Sequence, residues 1–380
     1  MMDTLAGLRV TLLAGTLGQG GAERQLFYAV ATLARAGAHP RVLTLGRGEF
    51  WEGPLRELGV PVEWVGARAS RAARLTTIVG AVARHRPHVL QSYHFYANPY
   101  AALAARALRV PDLGAIRSNG IADLASVSGG LGRLCLRLPR LLVANSQSAL
   151  TNLQALGIPA HRLRLLPNVI DTAAFGPAAW TDRTGPFKVA TIARLSGEKR
   201  LDRALRVFAD LKARVTRRVF LTIVGQGPLR ADLEGLVTTL GLGDTVTFAG
   251  PLADVRPVLR DVDCLLLTSD SEGTPNVILE AMAAARPIVA TAVGGVGALV
   301  DPHHTGFLCA ADDEAGLCSA LVALANEPDL AERLGRSARQ RVEASFGLPT
   351  LEVTLRQLYG DIVPPARRPA PAVARFGARR

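Results

Sequence analysis

Apolar runs of strand length alternate with segments of helical spacing along most of the chain. The clearest example lies between residues 263 and 295, where CLLLTS and IVAT are short continuous apolar runs, as expected of strands covered on both faces. The intervening loop is rich in turn-forming residues and leads into the helical segment NVILEAMAAA. Thr274 is the predicted N-cap and Pro275 the predicted first helical residue. The pattern predicts a β-α-β unit.

The same alternation recurs on both sides of this unit and predicts an α/β fold with parallel sheets. In the first half, residues 8–16 form a predicted strand, residues 17–21 a glycine-rich turn, and the helix from Ala22 ends at Gly37. At 380 residues the chain is long enough for two or three domains, each with its own core.

Composition excludes several classes of protein. No apolar run reaches the ~20 residues that a membrane-spanning helix needs. The N-terminus has an acidic residue and no early base, so we interpret it as a first strand and not as a signal peptide. The four cysteines have neither metal-binding nor disulfide spacing, which favours a reducing, cytoplasmic setting.

The charge is concentrated in the first half of the chain. Residues 1–170 contain 19 arginines and 8 acidic residues, whereas residues 171–360 are slightly acidic. This imbalance favours an anionic partner, either a membrane surface or a phosphorylated acceptor, and with so few aromatic residues nucleic acid fits least. Around Arg133 and Arg137, arginines alternate with leucines, which fits an ordinary surface helix or an interfacial basic helix.

Two glutamates flank the start of the helix in the 263–295 unit. The N–H groups of Asn276 and Val277 in its first turn suit a phosphate, and Glu280 leans back toward that end, where it could bind sugar hydroxyls. Glu272 lies in the preceding loop. Three interpretations stay open here: ligand binding, simple complementation of the helix dipole, and glycoside hydrolysis by paired carboxylates.

Other candidate groups lie at strand-to-helix turns. Arg194 and Lys199 bracket one such turn, where two fixed cations would suit a departing diphosphate. Gly20 and Gly21 allow a close backbone approach to a phosphate. His94 ends a predicted strand, and structural and catalytic roles for it are equally open. Asp261-Val262-Asp263 precedes a buried strand, so no metal is expected there.

Several of these strings resemble glycosyltransferase family 4. They are E-G-x-P-N-x-x-x-E from Glu272 to Glu280, the following P-I-V-A-T and G-G, A-R-L-x-x-E-K-x-L around Arg194 and Lys199, and G-G-A-E-R near Gly20. The resemblance implies a GT-B architecture, with two Rossmann-like β/α/β domains that face a central cleft. It also implies retaining sugar transfer from a nucleotide-sugar.

The resemblance assigns roles to individual residues. Arg194 and Lys199 would hold the diphosphate, Glu280 the ribose and Glu272 the donor sugar, while Gly225, Gly227 and Leu252 would lie along the nucleoside. The chain departs from the family where a histidine often ends a strand, since Ser118-Asn119 stands there after Arg117. Asn119 could take over a hydrogen-bonding role there, or Arg117 a charge-stabilising role. Gly297-Ala298 replaces the family's Pro-Glu and leaves one donor contact open.

The predicted organisation has four parts: an acceptor-side domain over 1–170, a donor-binding domain over 171–345, a helix over 346–361 that returns to the first domain, and a disordered basic tail over 362–380. The expected function is transfer of a hexose-type sugar from a UDP-sugar or GDP-sugar, without a further cofactor, to a saccharide or lipid-linked acceptor. We expect the protein to act in the cytoplasm, in the synthesis of a polysaccharide or glycoconjugate. Peripheral contact with an anionic membrane, at the inner face of the cell membrane, is left open.

Two alternative functions stay open. One is a nucleotide-sugar-binding protein that has lost catalytic turnover. The absence of the family's histidine and Pro-Glu motivates this alternative. The other is a nucleotide-sugar epimerase of the same architecture. Release of nucleoside diphosphate in the presence of an acceptor distinguishes the transferase from both.

Overall fold

A computed structural model describes residues 5–67, 70–127, 130–177, 180 and 185–364. The chain divides into two compact units. The first comprises residues 1–145, 149–167 and 348–380, and the second residues 146–148 and 168–347. Most of the predicted basic tail, from residue 365 onward, lies outside the described residues.

The described part of the first unit contains one seven-stranded parallel sheet in the order β3-β2-β1-β4-β5-β6-β7. Its strands are β1 (Arg9–Ala14), β2 (His39–Thr44), β3 (Val62–Trp64), β4 (Val89–Ser92), β5 (Asp112–Ile116), β6 (Leu141–Ala144) and β7 (Leu163–Leu165). Its helices are α1 (Gly21–Arg35), α2 (Glu52–Glu57), α3 (Arg71–His85), α4 (Asn98–Leu108), α5 (Ile121–Ala125), α6 (Leu131–Arg137) and α7 (Gln147–Ala155).

The second unit, over its described residues, has a six-stranded parallel sheet in the order β10-β9-β8-β11-β12-β13. Its strands are β8 (Phe187–Ile192), β9 (Val219–Val224), β10 (Val246–Gly250), β11 (Cys264–Leu267), β12 (Ile288–Thr291) and β13 (Gly306–Cys309). Its helices are α8 (Leu201–Arg214), α9 (Arg230–Thr239), α10 (Arg256–Asp261), α11 (Asn276–Ala283), α12 (Val296–Leu299), α13 (Glu314–Asn326) and α14 (Pro328–Ser345).

A last helix, α15 (Leu348–Ile362), belongs to the first unit, where it packs against α1. The Tyr359 hydroxyl donates to Gln91 Oε1 over 2.7 Å, and both side chains are buried. Near the end of the same helix, Asp361 pairs with Arg164 of β7 at 3.1 Å. These contacts fix α15 on the first unit although it follows the second unit in the chain.

The central strands β11 and β12 are completely buried, as their apolar composition predicts. The predicted start of the next helix is wrong by one residue. Pro275 is the cap of α11 with extended backbone (ψ 117°), and Asn276 is the first helical residue. None of the described helices has both the length and the apolar character that crossing a bilayer would demand.

Candidate functional site

The topology of the second sheet brings Lys199 and Glu272 together. Strand order reverses between β8 and β11, which are adjacent although residues 193–263 separate them in the chain. Ligands of such sheets bind beyond the carboxyl ends of the strands at this switch point. Lys199 lies in the loop after β8 and Glu272 in the loop after β11. Lys199 Nζ donates to Glu272 Oε1 at 2.7 Å.

The carboxylate of Glu272 is buried and held by several contacts. Its side chain is 7% exposed, and the Ser269 hydroxyl donates to the same Oε1 at 2.6 Å. The Ser269 carbonyl in turn accepts from Thr291 Oγ1 at 2.6 Å. Gly294 has φ +55°, and a Cβ there would overlap the Glu272 carbonyl oxygen. The loop therefore fixes the carboxylate beside its cation, as a buried charge requires.

Arg194 is exposed and bound to a carboxylate that sequence reasoning missed. Its Nη2 donates to Glu198 Oε1 at 2.8 Å, and the Ser196 hydroxyl donates to the same oxygen at 2.7 Å. Burial would raise the pKa of Glu198, but the hydrogen bonds from Arg194 and Ser196 lower it to about 2. Glu198 is therefore ionised at neutral pH, and an anionic ligand would compete with it for Arg194.

The start of α11 faces the same edge of the sheet. Asn276 and Val277 occupy its first turn, where helix geometry directs backbone N–H groups outward. Asn168, which sequence reasoning missed, donates to the Thr274 carbonyl at 2.8 Å and to Asn276 Oδ1 at 2.9 Å. Glu280 is 3% exposed, one turn further along α11.

The predicted nucleoside residues lie in the loops after β9 and β10. Gly225 has φ +136°, and a Cβ there would overlap the Ala193 carbonyl oxygen; at Gly227 it would overlap that of Leu195. The two glycines thus allow the β9 loop to pack on the β8 loop that carries Arg194. The Gly225 N–H donates to the Gly250 carbonyl at 2.8 Å, and Leu252, just beyond, is 39% exposed.

A second switch point lies between β1 and β4 in the first unit. The Gly15 N–H donates to His94 Nδ1 at 3.0 Å, so Nδ1 lacks a proton. Nε2 therefore carries the proton and donates to Glu23 Oε1 at 3.1 Å. Both ring nitrogens thus have protein partners, and His94 positions the loop that leads through Gly20 to α1. A direct contact of His94 with substrate stays a prediction.

The predicted phosphate-binding glycines lie at the end of this loop. Gly20 is the N-cap of α1, and its amide donates to the Gly18 carbonyl at 3.0 Å. Gly21, which we expected in the turn, is the first residue of the helix and is exposed. Glu23 follows in the first turn, so the carboxylate that binds His94 also complements the helix dipole. The phosphate contact of Gly20 and Gly21 stays a prediction.

The contact between His94 and Glu23 has a measurable consequence for stability. We expect His94→Ala and Glu23→Ala each to lower the free energy of unfolding by about 1–3 kcal/mol, because each leaves a buried polar partner unsatisfied. The double variant should cost less than the sum of the two by about 0.5–1.5 kcal/mol. Urea-induced unfolding of all four proteins measures this, and simple additivity would contradict the contact.

Asn119 is engaged in local structure. Its Oδ1 accepts from the Ala122 N–H at 2.7 Å and caps α5. Asp123 is buried and accepts the N–H groups of Ser118 at 3.0 Å and Gly120 at 3.1 Å. Burial raises the pKa of Asp123 despite these bonds. The Arg117 guanidinium lies 3.9 Å from the ring centre of Tyr93. A catalytic role for Asn119 stays a prediction.

The carboxylates of Asp261 and Asp263 both bind Lys188 at the start of β8. Lys188 Nζ pairs with Asp261 at 2.6 Å, and the Lys188 N–H donates to Asp263 Oδ2 at 2.7 Å. Burial raises the pKa of Asp263, and the Lys188 N–H opposes that shift. Within the described ranges no cluster of three potential metal ligands occurs.

Family models match both units of the chain. Residues 177–341 match the model described as glycosyl transferases group 1, and residues 20–169 match the glycosyl transferase 4-like domain. A glycogen synthase of Mycobacterium tuberculosis is 29% identical over 297 residues, which cover 75% of this chain and 72% of that enzyme. A D-inositol 3-phosphate glycosyltransferase of Streptomyces coelicolor is 32% identical over 191 residues, covering 48% of this chain and 41% of that enzyme.

A solved structure resembles the whole described fold. The Anabaena HepE protein, crystallised with UDP and with UDP-glucose, superposes with a TM-score of 0.80 over 93% of this chain and 100% of its own. The two sequences are 20% identical, so this likeness concerns the fold.

Proposed function

We propose a donor and an acceptor class for this chain, which belongs to glycosyltransferase family 4 and has the GT-B fold. The chain is a glycosyltransferase. The proposed reaction moves a hexose-type sugar from a nucleoside-diphosphate sugar, with UDP or GDP as the nucleotide, to a saccharide or lipid-linked acceptor with retention of configuration. The proposed setting is cytoplasmic synthesis of a polysaccharide or glycoconjugate, and the buried free thiols of Cys135, Cys264 and Cys318 agree with it.

The observation that carries the proposal is the ion pair between Lys199 and Glu272 at the switch point. A diphosphate at the mouth of α11 would lie near Lys199, Arg194 and the N–H groups of the first helical turn. Glu272 would then accept hydrogen bonds from hydroxyls of the donor sugar. No further cofactor is needed in this scheme, because the nucleotide-sugar is itself a substrate.

The proposed roles of the other residues follow from their elements. Glu280 would bind the ribose, one turn into α11. Gly225, Gly227 and Leu252 would line the nucleoside, because their loops lie at the carboxyl ends of β9 and β10. The predicted nucleoside contacts thus occupy the half of the sheet on the β8 side of the switch point.

In the proposed reaction, residues of the second unit stabilise the charge that develops on the leaving diphosphate. The bond between the anomeric carbon and the diphosphate oxygen breaks, and the acceptor hydroxyl forms a new bond on the same face of the sugar. The proton of that hydroxyl passes to the departing diphosphate. Arg194 and Lys199 would stabilise the negative charge that develops on the leaving oxygen, which is where fixed cations lower the barrier most.

A thermal-shift screen of nucleotides tests the donor class. Saturating ligand at 100 times its Kd stabilises the folded protein by about 2.7 kcal/mol. We expect a UDP-sugar or a GDP-sugar to raise the Tm most, the matching nucleoside diphosphate less and the monophosphate least, because each step removes predicted contacts. A chain whose Tm no nucleotide raises would contradict the proposed donor class.

The transfer itself has a separate readout. Nucleoside diphosphate should be released only when donor and a saccharide or lipid-linked acceptor are both present. Binding without release under any acceptor would instead support a non-catalytic protein, and a changed sugar without acceptor would support an epimerase.

A further inference from the structure

One side of the first sheet carries α4 and α6 next to each other. The chain passes from β4 to β5 to β6 in one direction across the sheet, and both crossovers are parallel. Right-handed crossovers place the connecting helices on the same side, and α4 packs against α6. Helix α1 connects β1 to β2, and this crossover runs across the sheet in the opposite direction. The contact between α1 and α15 therefore lies on the other side of the sheet.

The outer surfaces of these two helices combine cations with apolar side chains. We define the α4–α6 face by the exposed residues Leu103, Arg106, Arg109, Arg133, Leu134 and Arg137. Leu103 and Arg106 are three positions apart, as are Leu134 and Arg137, so each helix presents a leucine beside an arginine. Leu103 is 39% and Leu134 46% exposed, so each helix places an apolar side chain in solvent beside its arginines.

Acidic residues are few in the part of the sequence that contains this face. Between residues 64 and 170 the sequence contains 13 arginines and two acidic residues, Asp112 and Asp123. Both are buried, and Asp112 accepts the Arg140 N–H at 3.0 Å. The guanidinium of Arg106 donates to the Leu138 carbonyl at 2.8 Å, and the nearby Asp112 carboxylate offsets only part of the positive charge of Arg106, Arg140 and Arg162. Arg106, Arg109 and Arg140 line one surface depression of about 420 Å³, with Asp112 as the single acidic residue among the described residues of its lining.

We propose that the α4–α6 face docks on the surface of an anionic phospholipid bilayer. Guanidinium groups bind phosphates in bidentate fashion, and each arginine near such a surface contributes favourable electrostatic energy. Leu103 and Leu134 would enter the boundary between head groups and acyl chains while the arginine stems extend to the phosphates. A nucleic acid would instead be expected to meet aromatic side chains, which the face as defined does not contain.

Vesicle sedimentation with the full chain tests this proposal. We expect binding to vesicles of phosphatidylglycerol and phosphatidylcholine and little binding to phosphatidylcholine alone. Arg133→Gln with Arg137→Gln should weaken the partition coefficient about 30-fold, at roughly fivefold for each charge. Leu134→Ser should weaken chiefly the part of the binding that persists in high salt, because apolar contacts are not screened.

The second unit offers a matched control. Arg333 and Arg336 are exposed on α14, so Arg333→Gln with Arg336→Gln removes the same charge elsewhere. This control should bind vesicles like the unchanged chain, and circular dichroism and the Tm should show that both double variants are folded. The proposal would be overturned if the two double variants weakened vesicle binding equally. It would also be overturned if both double variants bound vesicles normally and a chain without residues 365–380 did not. So would RNA binding that depends on Arg133 and Arg137 without any vesicle binding.

Discussion

Replacing Glu272 by glutamine is expected to lower the rate of sugar transfer by about 10²–10³-fold. The substitution keeps the size of the side chain and an oxygen that can accept from Ser269, so the loop should keep its conformation. It removes the negative charge proposed to bind the hydroxyls of the donor sugar. We therefore expect kcat to fall while the Kd for nucleoside diphosphate changes by less than about threefold, since the diphosphate has other ligands.

The control for Glu272→Gln lies two residues away in the same loop. Asp270 pairs with Arg200 at 3.0 Å and with Arg203 at 2.9 Å, on the side of the loop that faces α8. Asp270→Asn should cost stability because Arg203 is buried, yet the transfer rate of the folded protein should stay within a few fold. Initial rates with saturating donor and acceptor give the comparison. Equal losses of rate in both variants would mean that the loop, and not the Glu272 carboxylate, is responsible.

Local signals in the sequence predict the secondary structure well. Buried strands such as β11 and β12 appear as unbroken apolar runs, and the turns between them are marked by glycine, proline and small polar residues. The start of α11 shows the limit of local signals. Proline is common at the first helical position, but the extended backbone of Pro275 makes it the cap, and sequence alone does not distinguish these cases.

Which site residues contact each other could be predicted only from the order of the strands in each sheet. Lys199 and Glu272 were each predicted from their own loop, but their contact spans 73 residues and depends on β8 lying beside β11. His94 and Glu23 are 71 residues apart and meet for the same reason, at the switch point between β1 and β4. Because ligand sites form where strand order reverses, a prediction of sheet topology would have placed both pairs.

Some of the predicted site residues also make structural contacts that the sequence did not indicate. Gly225 and Gly227 were expected to make room for a nucleotide, which stays a prediction, and the structure shows that each makes room for a backbone carbonyl of the β8 loop. Asn119 was expected near the reacting groups, yet its side-chain oxygen caps α5. Ser269 was missed because a short polar residue in a loop carries no periodic signal. Glu198 stands in the string A-R-L-x-x-E-K-x-L, but its role depends on its contact with Arg194, which the string does not give.

Replacing Lys199 by methionine should affect both stability and donor binding. Among the described residues, the Ser269 hydroxyl would then be the one remaining partner of the Glu272 carboxylate, whose side chain is 7% exposed. Breaking a fully buried pair costs about 3–5 kcal/mol, and because Lys199 is itself 21% exposed we expect about 1–3 kcal/mol. Glu272→Gln alone should lower the free energy of unfolding by less, since the Lys199 ammonium group can turn toward water.

The double variant Lys199→Met with Glu272→Gln separates the ion pair from the ligand site. It should recover much of the stability lost in Lys199→Met, with a coupling energy of about 1–3 kcal/mol. The pair between Lys212 and Asp244 lies on the surface, and the same cycle there should give no measurable coupling. Nucleoside diphosphate affinity should behave differently, because the proposed phosphate contacts involve Lys199 and not Glu272. Affinity should therefore fall alike in Lys199→Met and in the double variant, whereas recovery of affinity together with stability would mean that Lys199 serves only to neutralise Glu272.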